Sequence, residues 1–75
     1  MFMENQVLKL YFNFEPFFLT IKEKGISENY LIREFDVSPY LLTRMKRGCD
    51  MRIGTVLRLM EMINETDIYK VISIS

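Results

Sequence analysis

Leu8, Leu10, Phe12 and Phe14 alternate with Val7, Lys9, Tyr11 and Asn13. A period of two with aromatic enrichment predicts a half-buried strand over Val7–Phe14. Glu4, Gln6, Leu8, Lys9 and Leu10 are good helix formers, so a helix starting at residue 4 is the alternative. The period then changes. Pro16 suits a first helical turn, where its missing N–H costs nothing, and Glu15 suits the positive end of a helix dipole. Phe17, Phe18 and Ile21 recur at helical spacing, Lys22 and Lys24 favour the negative end, and Gly25 supplies a left-handed stop. Together they predict a helix over Pro16–Lys24.

Two shorter helical patterns follow. Ser27 is a cap candidate for a helix over Glu28–Phe35, whose apolar stripe is Leu31, Ile32 and Phe35. Asp36 tolerates a left-handed turn, and Val37 should plug into the core between the helices. Ser38 is a strong N-cap and Pro39 takes the first position of a third helix over Pro39–Arg47, with Leu41, Leu42 and Met45 turned inward and Gly48 ending it. Cys49–Arg52 reads as a loop. Ile53–Ile63 reads as a fourth helix, apolar nearly all round: Ile53, Val56, Leu57 and Met60 form a stripe that Leu59, Met62 and Ile63 extend. Its start is weak, with Arg52 at the cap and Gly54 in the first turn. Asn64 is a stop, Thr66 with Asp67 can open one more helical turn, and β-branched, alternating Tyr69–Ile74 reads as a second strand. Neither strand is stable alone, so the two should pair against the helices. The fold expected for residues 1–75 is one mainly α domain, compact, of four to five helices, with short N- and C-terminal β-strands paired.

Composition changes this picture in a few places. At 75 residues and 49% hydrophobic, the chain is apolar-rich for its size, so part of that surface is either core or an oligomer interface. The fourth helix is too apolar for a surface helix, which makes it, or the terminal strands, a candidate homodimer face. Formal net charge is zero, so no global field draws the chain to nucleic acid. Locally, residues 44–52 hold four basic side chains against one acidic, Asp50, a balance of +3. The single cysteine, Cys49, excludes an internal disulfide. Its cationic neighbour Arg47 would lower the thiol pKa, but no base or resolving thiol accompanies it, which favours a structural role. The absence of His removes most zinc sites and acid–base triads. Glu61, Glu65 and Asp67 read as a solvated acidic edge, and no Gly-rich phosphate loop is present. No catalytic residue, metal site, cofactor or small-molecule ligand is expected, and an enzyme is disfavoured. No apolar run reaches membrane-spanning length and the first residues lack the marks of a secretory signal, so a cytoplasmic protein is expected. Met45, Met51, Met60 and Met62 fill core or form an adaptable protein-binding surface.

The stretch ISENYLIREFDVSPYLLTRMKRG, residues 26–48, resembles the lambda-repressor-like (Cro-type, or XRE) family of helix-turn-helix DNA-binding proteins. The pattern extends into the fourth helix. Tyr11-Phe12-Asn13-Phe14-Glu15-Pro16 and the run from Lys22 to Ser27 look like the small stand-alone members, and the likeness covers residues 11–72. It implies a compact helical domain whose third helix enters the major groove of double-stranded DNA, often as a homodimer, in prokaryotic or phage transcriptional regulation. On that reading Ser38, Pro39, Tyr40 and Thr43 reach base edges, while Arg44, Lys46, Arg47 and Arg52 neutralise phosphates. Four positions depart from the family pattern. Asp36 stands where Gly is usual, Ile32 where a small residue is common, and Arg47-Gly48 where Asn-Gly often closes the third helix. Glu28 stands where Gln often grips a phosphate, and a carboxylate facing a phosphate is repulsive. Zero net charge and Glu28 suit a rival function on the same scaffold: a small protein-interaction module, such as a phage or mobile-element inhibitor or an antitoxin-like protein.

Overall fold

Phe12, Phe14 and Phe17 are fully buried, and they carry the chain from a strand into a helix. The computed structural model describes residues 9–74, with the side chains of residues 11–73. Strand β1 is Lys9–Asn13. Tyr11 and Asn13 face out while Phe12 and Phe14 face in, as the alternation predicts. Val7 and Leu8 lie outside the described residues, as does the side chain of Leu10. Burying one phenylalanine side chain is worth about 1.5–3 kcal/mol, so this trio anchors a strand that would not persist alone.

Helix α1 runs Glu15–Lys24, and Asn13 Oδ1 accepts the Glu15 N–H at 2.8 Å. Phe17, Thr20 and Ile21 are its buried residues, and Gly25 closes it at φ 73° and ψ 25°. Helix α2 is Glu28–Phe35, where the Ser27 hydroxyl accepts the Tyr30 N–H at 3.0 Å. Asp36 takes the left-handed position at φ 58°, and Val37 is buried behind it. Helix α3 is Pro39–Arg47, and the Ser38 hydroxyl accepts the N–H groups of Tyr40 and Leu41. These caps are local devices, so α2 and α3 keep the bounds expected from the sequence, and α1 begins one residue before the expected Pro16.

Residues 49–52 correct the expectation of a loop. Cys49–Arg52 is strand β2, with Cys49 and Met51 buried and Asp50 and Arg52 exposed. It pairs antiparallel with β1 in the register Lys9 with Arg52 through Phe12 with Cys49. Helix α4, Ile53–Met62, follows without a break. Its inner face is Val56, Leu59, Met60 and Ile63, a spacing of i, i+3, i+4, i+7. Of the apolar stripe expected on this helix, Val56 and Met60 are buried, while Ile53 and Leu57 are 42% and 51% exposed.

The C-terminal segment holds a second correction. Asp67 caps a 3-10 turn at Ile68–Lys70, its Oδ1 accepting the Tyr69 N–H at 3.0 Å. The extra helical turn is therefore present, and it takes residues 69 and 70 out of the strand expected over Tyr69–Ile74. Val71 and Ile72 are both buried, which the alternation of a strand does not allow. Only Ser73–Ile74 remain as β3, paired antiparallel with β1 through Phe12–Ile74 and Asn13–Ser73. The end strands do pair, but as two neighbours in a three-stranded sheet of order β2-β1-β3. Among the described residues the molecule is mainly helical, and four α-helices and this small antiparallel sheet share one core. Met45, Met51 and Met60 belong to the core and Met62 packs against it, which favours the core-filling reading of the methionines.

Candidate nucleic-acid interface

Helix α3 has one buried face and one open face. Leu42 and Met45 point into the core, with Leu41 half-buried beside them. Tyr40, Thr43 and Arg47 are exposed and Arg44 is half-buried, so the four form a stripe at i, i+3, i+4 and i+7 on the opposite side. Tyr40 is 71% exposed. Ser38 and Pro39 are exposed at the helix start.

Several of these groups have internal partners. The Ser38 hydroxyl is committed to capping. The Thr43 hydroxyl donates to the Pro39 carbonyl at 3.1 Å, which leaves its methyl group and lone pairs for a ligand. The Arg44 guanidinium lies 5.8 Å from the centre of the Tyr40 ring and 3.6 Å from Asp50 Oδ1 on β2. Lys46 Nζ lies 3.1 Å from Glu28 Oε1 at the start of α2, and 5.7 Å from the centre of the Phe18 ring. Arg47 and Arg52 make no ion pair with any described residue. The local excess of +3 along residues 44–52 is therefore smaller in space, because Glu28 arrives from a different helix to neutralise Lys46.

One basic residue was not visible in the run. Arg58 shares a shallow concavity with Arg52, Gly54 and Thr55 at the start of α4. That helix has no side-chain cap and no acidic residue in its first turn, so its first N–H groups and the positive end of its dipole are not offset by a side chain of its own. The signal in the sequence is the three-residue spacing of Arg52, Thr55 and Arg58, readable only once the start of α4 is fixed. Arg52 is thus placed with Arg58, while Arg44 and Tyr40 associate on α3.

Cys49 is buried in the core. Burial raises its thiol pKa, Arg44 lowers it and Asp50 raises it, with burial the largest effect and the net shift upward. The expected cationic depression is overridden, and the thiol is a packed apolar group. Among the described residues no cluster of three or more His, Cys, Asp or Glu side chains could hold a metal ion. No described helix is long and apolar enough to cross a membrane.

No protein-family model, curated protein or solved structure matches the chain.

Proposed function

We propose that the chain is a sequence-specific DNA-binding transcriptional regulator of the lambda-repressor-like helix-turn-helix kind, acting as a homodimer on a two-fold-related site. In this reading α2 braces α3, and α3 enters the major groove. The observation that carries it is the open stripe of Tyr40, Thr43, Arg44 and Arg47 on a helix whose start is set by Ser38 and Pro39. Tyr40 and Thr43 sit where base edges and thymine methyl groups are reached, and Arg47 is the cation on that helix with no carboxylate partner among the described residues. Arg58, beside Arg52 at the uncapped start of α4, supplies a second phosphate position. Binding would control transcription by occlusion or recruitment.

Selection of duplexes from a random pool by the purified protein tests the reading. Affinity should fall steeply with salt, and Arg44→Ala with Arg47→Ala should weaken every duplex alike. Salt-independent binding, or no enriched duplex, overturns it.

The two ion pairs that consume Arg44 and Lys46, with the prominence of Tyr40, favour a second reading. In it the same α3 surface docks on a protein, and Tyr40→Ala abolishes that complex while duplex selection enriches nothing.

A further inference from the structure

We infer that β2 is a homodimer edge, pairing antiparallel with β2 of a second copy about a two-fold axis through Met51. The inference names the contact surface for the homodimer in the proposed function, and it stands or falls without reference to DNA.

Three observations support it. β2 is outermost in the sheet, and among the described residues no strand pairs with its far side. Its inward residues are Cys49 and Met51, and its outward residues are Asp50 and Arg52. Ile53 and Leu57, one helical turn apart on the helix that leaves this strand, are exposed. An open edge is commonly blunted by proline or by charged side chains, lysine above all. Here the two outward charges are of opposite sign, and that makes the edge self-complementary.

The register follows from parity and charge. Residues directly opposite on antiparallel strands share a face. Only registers that place an outward residue against an outward residue keep Met51 and Cys49 on the core side. Centring the axis on Asp50 sets Asp50 against its own copy, and centring it on Arg52 sets Arg52 against its own copy. Both are repulsive. Centring it on Met51 sets Asp50 against Arg52 of the second copy, twice. The same register carries Ile53 alongside the second copy's edge, where its apolar surface is covered. The competing intramolecular partner of Asp50, Arg44 at 3.6 Å, is half-exposed, and such pairs contribute little, so exchange of partner is permitted.

Charge reversal tests both the edge and the register. Wild-type protein should sediment as a reversible dimer at micromolar concentration. Asp50→Arg alone and Arg52→Asp alone each convert two attractive cross-strand pairs into repulsive ones, and should weaken the dimer about tenfold. The double exchange, Asp50→Arg with Arg52→Asp, should restore it. Circular dichroism checks that each variant folds. An independent readout uses a Cys49→Ser background. Chains carrying Asp50→Cys, mixed with chains carrying Arg52→Cys under oxidised glutathione, should cross-link to each other in preference to themselves, since only that combination is directly opposed. A wild-type dimer that ignores both reversals and shows no preferred mixed cross-link overturns the edge and leaves the regulator reading intact. A wild-type chain that stays monomeric removes the homodimer from both. Duplex selection, run in parallel, decides DNA binding by itself.

Discussion

Glu28 Oε1 lies 3.1 Å from Lys46 Nζ, tying the first residue of α2 to the last turn of α3. Both side chains keep substantial exposure, 40% for Glu28 and 52% for Lys46. A pair so exposed is worth roughly 0–1 kcal/mol, so it holds the helices together weakly. Its larger consequence is for a ligand. A phosphate approaching Lys46 has to displace a carboxylate already there.

Replacing that carboxylate should therefore improve binding. Glu28→Gln is expected to tighten duplex affinity severalfold and to steepen the salt dependence by about one unit of log–log slope, the signature of one more phosphate neutralised. Thermal stability should hardly change. Fluorescence anisotropy over a salt series reads affinity and slope together, and a tighter complex with an unchanged slope would point to a contact other than phosphate.

Gly48 is fixed by backbone and by space at once. Its φ of 82° and ψ of 140° are open to glycine almost alone. A Cβ there would sit 2.9 Å from the Tyr11 hydroxyl oxygen and 3.2 Å from the Phe12 carbonyl oxygen. Gly48→Ala should cost at least about 1–3 kcal/mol because it strains the link from α3 to β2. Gly25 shares a positive φ but has nothing within 4 Å of its Cβ position, so Gly25→Ala should cost only about 1–2 kcal/mol. Urea unfolding of the two variants checks the order, and equal losses would mean that the contact with Tyr11 and Phe12 relaxes freely.

The boundaries of α2 and α3 were legible because their signals are local: Ser27, Asp36, Ser38 and Pro39 act on neighbouring N–H and C=O groups. β2 was not legible. Its partner strand is distant in the chain, and four alternating residues after a glycine carry too little pattern to outweigh a loop reading. In α4 the inner face was ambiguous because apolar residues surround the helix, and only the packed structure chooses Leu59 and Ile63 over Ile53 and Leu57. The end strand was overestimated because β-branched residues were read by propensity, while the Asp67 cap and burial of both Val71 and Ile72 decided otherwise. The open stripe on α3 followed from helical spacing. The ion pairs that quench part of it did not, since they join α3 to α2 and β2 through space.

Thr20 is the one buried polar residue among those described, and its hydroxyl donates to the Lys70 carbonyl at 2.7 Å. This bond holds the 3-10 turn against α1 and sets the approach of β3. Thr20→Val keeps the shape and removes the donor. It should cost about 0.5–1.5 kcal/mol, the net worth of a typical hydrogen bond, because this one is part-buried. Amide exchange should localise the effect. Protection at Val71 and Ile72, whose N–H groups bond to the Ile68 carbonyl, should fall more than protection in α2.

Glu65 gives the fold a specific acid sensitivity. Its Oε2 accepts the N–H groups of Asp67 and Thr66, each at 3.1 Å, and its Oε1 lies 3.4 Å from Lys24 Nζ. The Asp67 backbone bond is the main cause of a carboxyl pKa held below the usual glutamate value, with Lys24 adding to it and desolvation opposing it. A folded-state pKa below the unfolded one contributes stability that is complete above the unfolded pKa and lost as pH falls through the folded pKa. Wild type should therefore exceed Glu65→Gln in stability by a constant margin from neutral pH down to about 5. The margin should shrink as pH passes the ordinary glutamate value of about 4.3, and level off once the folded-state carboxyl is protonated. Thermal unfolding of both proteins along a pH series reads the margin directly. A margin independent of pH across the acid range would show that the ionised carboxylate does not hold the turn between α4 and the 3-10 segment.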